Sequence, residues 1–294
     1  MKYHSSINTK NIAELALADG SIWDIIAADG QAYDVISAIA KIMQLQSPDK
    51  IAQKKSRYSI PRRLIVHVED PKRDSAKLPT TVDLTVKDQD FICILNSDES
   101  NEILELQLMH LSMVICRDAQ YRGGVLLHGA LAGWNENGVI LAGPGGRGKT
   151  TASRRLPHHW QSFCDDTTLV VCDKYGAYWA HPWPTWSTFM FDGPGGTWNI
   201  QHSVPLKGIF FLEQAHEDKF KPLQIAQSIC LLNESSEQVS WFMPGHSEKN
   251  TLRKIRLQRF DNICTLAKAV PSYVLRMGPD GTFWRKIEKA LDGE

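Results

Sequence analysis

The residues with the clearest chemical meaning are Gly143-Pro144-Gly145-Gly146-Arg147-Gly148-Lys149-Thr150, which fit G-x-x-x-x-G-K-[ST] at every required position. Glycines let successive backbone N–H groups turn into one concavity and bind phosphate oxygens. The amine of Lys149 would face the β- and γ-phosphates of a nucleoside triphosphate, and the Thr150 hydroxyl would ligate Mg²⁺. Thr151 continues the loop into the following helix, whose positive dipole end meets the same anion. Arg147 lies inside the loop and either touches a phosphate or points to solvent. Fifteen residues after Thr150 comes the pair Asp165-Asp166. Phosphoryl transfer needs a carboxylate for the metal, and a hydroxyl acceptor gains from a nearby base. Two adjacent carboxylates can divide these tasks, with Asp165 also a metal-ligand candidate.

A phosphate-binding loop needs a strand before it and a helix after it. "GVILAG" is the expected strand and "KTTASRRL" the helix, which Pro157 ends. Upstream, "VLLHGALAG" reads as a neighbouring strand and "WNENG" as the turn between the two. Trp160, Phe163 and Cys164 form a short strand that ends at Asp165-Asp166.

The first part of the chain reads as a small α+β lobe over 1–119, before a P-loop domain over 120–294. Residues 12–45 predict strand, turn, strand and helix, with the turn at Ala18-Asp19-Gly20. Residues 46–63 predict a loop whose Lys54, Lys55, Arg57, Arg62 and Arg63 form a solvated face. "LIVHVED", "TTVDLTV" and "DFICILN" predict strands. Residues 101–119 predict a helix capped by Ser100 or Asn101. None of these segments carries evident chemistry; acceptor recognition is the role left to the lobe.

The 294 residues carry a net charge of +0 and are 43% hydrophobic. That balance suits a globular protein with a real core and gives no electrostatic case for nucleic acid. No apolar run approaches the roughly 20 residues that span a bilayer, and the N-terminus lacks the apolar stretch of a signal peptide. The expectation is a soluble cytoplasmic protein with no membrane partner. Six cysteines without a C-x-x-C pair read as reduced, buried thiols. No N-K-x-D guanine motif and no downstream apolar strand ending in Asp-Glu occurs, which disfavours Ras-type GTPases and large motor or transporter ATPases.

"LLHGAL", "GVILAGPGGRGKTTASRRL" and "FCDDTTLV" together resemble the core of HPr kinase/phosphorylase-type proteins, whose P-loop fold is related to phosphoenolpyruvate carboxykinase. "AHPWPTWS", "PLKGIFFLEQ", "LQRFDNICTLAKAVPSYVLRM" and "GTFWRKIEKAL" resemble more closely the SynChlorMet cassette proteins, HPr kinase-like proteins encoded near radical SAM enzymes and small peptides. That resemblance covers roughly 123–292. It implies an α/β catalytic domain of the HPr kinase type, ATP and Mg²⁺ as cofactors, and His128 beside the phosphates. It also implies homo-oligomerisation and, as acceptor, a hydroxyl on a peptide or small protein, in this setting a radical SAM-associated precursor peptide. "HPWPTWS" stands where true HPr kinases carry the extended segment linked to phosphorylase activity, so neither dephosphorylation nor HPr as substrate is implied.

Other residues read mainly as structural. Trp179, Trp183, Trp186 and Trp198 read as packing, although "HPWPTW" as a rigid loop, with His181 and "FDGPGGTWN", would also suit an acceptor wall. Arg253, Arg256 and Arg259 read as a solvated helix face, and Arg154 and Arg155 as surface residues. The expected reaction is phosphoryl transfer from ATP to a Ser or Thr hydroxyl. The alternatives are a small-molecule hydroxyl, an ATPase coupled to a partner enzyme, and a nucleotide-dependent scaffold.

Overall fold

A computed structural model describes residues 10–48, 60–69, 82–97, 100–144, 148–186, 196–240 and 249–293. It is a mixed α/β structure with two sheets and, among the described residues, six helices longer than one turn. The chain divides into two compact units. One takes the described residues up to Ile115 and those between Trp186 and Gln201. The other takes those of 116–185, 202–241 and 246–294.

In the first unit, β1 (Lys10–Ala16) and β2 (Ile22–Ala27) form an antiparallel hairpin. Gly20 turns it at φ 84°, and the Asp19 carboxylate accepts from the Ser21 backbone and hydroxyl. α1 (Gly30–Ile42) crosses over to β3 (Arg62–Glu69), which lies parallel to β2. Asp29 caps α1 through the Ala32 N–H at 2.7 Å, and its other oxygen accepts from Val68 N in β3. β4 (Asp83–Lys87) and β5 (Asp90–Asn96) complete the sheet in the order β1-β2-β3-β5-β4. Period-two burial in β2 and β5 buries one side of this sheet, with Trp23, Ile25, Phe91, Cys93 and Leu95 inside. Arg62 and Arg63 begin β3 instead of ending a loop, and Arg63 forks onto both carboxylate oxygens of Asp90. Lys54, Lys55 and Arg57 lie outside the described residues. The segment after Gly196 docks here through Trp198 N to Ile42 O and Gln44 to the Thr197 hydroxyl.

α2 (Asn101–Tyr121) begins with the Ser100 hydroxyl accepting from Ile103 N, so Ser100 is the cap. The unit boundary falls within this helix.

The second unit is built on β6 (Val125–Trp134), buried on both faces for most of its length. β7 (Asn137–Ala142) pairs with it antiparallel on one side. On the other side run β8 (Gln161–Cys164) and then β9 (Thr167–Cys172). β10 (Tyr178–Trp183) pairs with β9, and β11 (Val204–Gln214) runs parallel to β7. β10 also meets the start of β11 at Trp179↔Pro205 and Ala180↔Val204, so the pairings β9-β6-β7-β11-β10 close a ring. β12 (Lys219–Pro222) and β13 (Ser272–Met277) extend the sheet beyond β11. α3 (Lys149–Arg155) and α6 (Phe283–Asp292) cover a core of Ala130, Val139, Leu141, Phe210, Leu275, Phe283 and Ile287. α4 (Ile225–Ser240) packs on β6 and on α5 (Lys249–Ala269).

Several structural expectations change here. "HPW" is the end of strand β10, not loop; His181 and Trp183 are fully buried in it, and Trp186 and Trp198 are buried too. The described part of this segment is therefore core, and "FDGPG" lies outside the described residues. Arg155 is half-buried rather than freely solvated. It donates to Gly278 O at 3.0 Å and Gly281 O at 2.7 Å, with its guanidinium 5.3 Å over the Phe283 ring. Arg259 leaves the solvated stripe because steps of three residues drift round a 3.6-residue helix; it is buried and paired with Glu237 at 2.9 Å, while Arg253 and Arg256 are exposed. Cys93, Cys116 and Cys164 are buried, with burial pushing the Cys93 thiol up to about 12, but Cys230 is exposed.

Gly129 lies where β6 leaves no room for a side chain against β7. A Cβ there would meet Ile140 Cγ2 at 2.6 Å and Leu141 O at 3.3 Å. Gly129→Ala is therefore expected to destabilise the protein by about 1–3 kcal/mol through overpacking, read as a lower urea midpoint with an unchanged slope.

Candidate phosphoryl-transfer site

Sheet register brings the chemistry-bearing residues to one stretch of β6. Gly129 lies opposite Ala142, the last residue of β7, from which the glycine-rich segment departs. On the other side, Leu131 pairs with Cys164 and His128 with Thr167. From Leu131 to His128 is three steps, as from Cys164 to Thr167, so the Cys164 pairing and β9 share one register along β6, while the register of β8 slips by one residue before Cys164, between its Ala132 and Leu131 pairings. Asp165 and Asp166 interrupt the ladder at the level of Ala130 and Gly129. The start of the glycine-rich segment and the two carboxylates thus flank the same two residues of β6.

Of the loop, Gly145, Gly146 and Arg147 lie outside the described residues. Gly148 sits at φ 97°, a left-handed conformation that favours glycine, and its carbonyl opens α3 by accepting from Ala152 N. Lys149 is only 7% exposed, and its Nζ donates to Gly143 O at 2.8 Å and to Pro144 O at 3.4 Å. Burial lowers the pKa of this amine, against the opposing charges of Asp166 and Asp165. Thr150, Thr151 and Pro144 are exposed.

Asp166 is held from two sides. Its Oδ1 lies 3.0 Å from His128 Nε2, and its Oδ2 accepts from the Thr167 hydroxyl at 3.2 Å. Burial raises the carboxyl pKa, but the His128 hydrogen bond and charge, the Thr167 hydroxyl and the Lys149 charge outweigh it, leaving Asp166 below the ordinary carboxylate value. An ionised Asp166 only accepts, so the proton of this contact belongs to His128 Nε2. The other ring nitrogen, Nδ1, meets Gln238 Oε1. It donates to that oxygen if the imidazole is doubly protonated, or accepts from the amide NH₂ if the amide is turned over. Asp165 is held more loosely: Oδ1 accepts from the Thr185 hydroxyl at 3.0 Å, and Oδ2 has no hydrogen-bond partner among the described residues.

Gln238, Ser235 and Thr185 join this cluster without having been singled out in the sequence. Ser235 and Gln238 lie three apart on one face of α4; Ser235 donates to His128 O at 3.2 Å, so the helix holds both the backbone and the ring of His128. The buried face of α4 is Ser228, Leu232, Ser235, Ser236, Val239 and Ser240. Its 3.6-residue period is present in the sequence, but serines carry it.

Because the folded-state Asp166 carboxyl is depressed, its ionised form stabilises the fold above the ordinary value of 3.8, and this contribution is lost as pH falls through the folded-state value. The stability gap between the parent and Asp166→Asn is expected to narrow as pH falls below 3.8, measured by urea unfolding at each pH.

Among the described residues, no group of three or more His, Cys, Asp or Glu side chains is arranged around a metal site. Two carboxylates and a hydroxyl are hard oxygen donors. They suit Mg²⁺, which keeps waters and substrate phosphates in its shell, rather than Zn²⁺ or Ca²⁺, which need more protein ligands. No helix among the described residues is long and apolar enough to cross a membrane.

The family model described as SynChlorMet cassette protein ScmC matches residues 91–292. The match begins upstream of the resemblance seen in the sequence, taking in β5 from its second residue and all of α2. No curated protein matches the chain.

Proposed function

The chain belongs to the SynChlorMet cassette protein ScmC family, and from that premise we propose that it is an ATP- and Mg²⁺-dependent kinase of the HPr kinase type, acting on a Ser or Thr hydroxyl of a small precursor peptide or protein. The observation that carries this reading is the shared register on β6. It sets the start of the P-loop sequence beside Asp165 and Asp166, with His128 between them.

In this mechanism Lys149 leaves the carbonyls of Gly143 and Pro144 to meet the β- and γ-phosphates, and the loop N–H groups from Gly145 to Thr151 hold the remaining oxygens, with Gly143 and Pro144 shaping the entry to the loop. Asp165, with one oxygen unengaged, and Thr150 hold Mg²⁺, which when bound neutralises charge on the phosphate oxygens. Asp166 is oriented by His128 and Thr167 and accepts the proton of the attacking hydroxyl. The bond from the γ-phosphorus to the bridging oxygen breaks as the ester bond forms. A carboxylate with a depressed pKa still serves here, because positioning dominates phosphoryl transfer. His128 and Gln238 act behind Asp166 as positioning residues.

The test incubates the protein, Mg²⁺ and γ-labelled ATP with short peptides encoded beside its gene. Label in a peptide, lost in Lys149→Met and Asp166→Asn, supports the kinase. Free phosphate without labelled peptide replaces it with a coupled ATPase, and tight ATP binding with neither product replaces it with a nucleotide-dependent scaffold.

A further inference from the structure

A pocket of about 730 Å³ lies at the mouth of the strand ring, at the opposite end of β7 from the P-loop sequence. Its walls include Trp134, Trp160, Phe163 and Trp179. Trp134 and Trp160 stack with centroids 6.0 Å apart, and the Trp160 indole N–H is fixed by Glu288 at 2.8 Å. The rim is the two-residue turn Asn135-Glu136 between β6 and β7, closed by the pair Trp134↔Asn137. Both turn residues have positive φ, 47° and 64°. Such turns favour Asn-Gly, so Asn135 is at home and Glu136 is not. A glutamate here holds a left-handed backbone at an energetic cost that glycine would avoid. Its carboxylate has no hydrogen bond or ion pair among the described residues.

An unpaired carboxylate on the rim of a pocket that aromatic rings also line is an arrangement suited to an organic cation: the rings offer their negative faces and the carboxylate neutralises the charge. We infer that this pocket binds the side chain of an arginine or lysine presented by a peptide. β8 links the pocket to the candidate site, because Gln161 and Phe163 line the pocket and Asp165 follows two residues after Phe163. At about 3.3 Å per residue this spans roughly 7–13 Å, which an extended peptide crosses in two to four residues. The cation site stands on the pocket's own geometry. Assigning the peptide as phosphoryl acceptor rests on the kinase reading, and it defines the acceptor class as a Ser or Thr with a basic residue two to four positions away.

The test uses three synthetic octapeptides that each contain one serine and differ only four residues from it, where they carry Arg, Ala or Glu. Binding is measured calorimetrically at pH 8 without nucleotide, to the parent and to Glu136→Gly. The Arg peptide is expected to bind the parent at least about tenfold tighter than the Ala peptide, and the Glu peptide weakest. In Glu136→Gly that preference is lost, while Tm stays at or above the parent value because glycine suits the turn. Equal binding of the three peptides, or an Arg preference that survives Glu136→Gly, overturns the inference. Phosphoryl transfer is not part of this readout, so a protein that binds the Arg peptide but transfers no label sinks the kinase alone. A kinase indifferent to the Arg sinks the pocket assignment alone.

Discussion

Lys149→Met is expected to lower kcat for phosphoryl transfer by about 10³-fold or more, roughly 4 kcal/mol of transition-state stabilisation, while leaving the protein folded. The two halves of this expectation come from the same burial. A 7%-exposed ammonium is costly to desolvate, and it is offset by two backbone carbonyls and by the charges of Asp166 and Asp165. Methionine fills the same channel with an apolar stem and removes both the cost and the compensation. The net change in stability is therefore expected to be within about 1 kcal/mol. Transfer has no such compensation, because the charge that gathers on the β- and γ-phosphate oxygens loses its point-charge partner. Single-turnover transfer and urea unfolding on the same sample check the pair of outcomes. A folded variant that retains activity within tenfold would place Lys149 away from the phosphates.

The second large effect is at Asp166. Asp166→Asn keeps the shape of the side chain and removes its charge, and kcat is expected to fall by about 10²–10⁴-fold with little change in the KM for ATP. Asp165→Asn is expected to behave differently. Asp165 has one oxygen committed to Thr185 and the other without a partner among the described residues, so its loss should raise the Mg²⁺ concentration needed for half-maximal rate, with partial recovery at saturating metal. Mg²⁺ titrations of the two variants separate the roles: the same curve for both would end the division of labour between the carboxylates.

The sequence announces features whose cause is local and hides those whose cause is distant. The strands of the first unit, the turn at Asp19-Gly20 and the Ser100 cap follow from nearby residue types, and each appears where alternation and turn chemistry put it. The short strand into Asp165-Asp166 was likewise legible, because Phe163 and Cys164 precede a charged pair. α4 was not, since serines carry most of its buried face and a hydropathy pattern passes over them. Gln238 stands 110 residues from His128 and Thr185 stands 20 from Asp165. Nothing local marks an amide or hydroxyl for such a contact. Arg155 and Arg259 look like surface charges in sequence; the carbonyls of Gly278 and Gly281 hold Arg155 half-buried, and the carboxylate of Glu237 accounts for the burial of Arg259. The prolines and tryptophans of "HPWPTW" suggested a rigid loop, but the ring of strands makes a buried β10 from its first half.

The continuous register from Cys164 on Leu131 to Thr167 on His128 has a consequence for how this protein can diverge. The stretch from Cys164 to Thr167 has a fixed length as well as a fixed content, since its two ends are pinned to Leu131 and His128. Inserting or deleting one residue there would turn every following side chain of β9 to the opposite face, or force a bulge beside the carboxylates. Substitutions at Asp165 or Asp166 are expected to leave a folded, testable protein, whereas a one-residue length change is expected to disrupt the sheet itself. Chains that lose the chemistry but keep the fold should therefore differ here in letters and not in spacing.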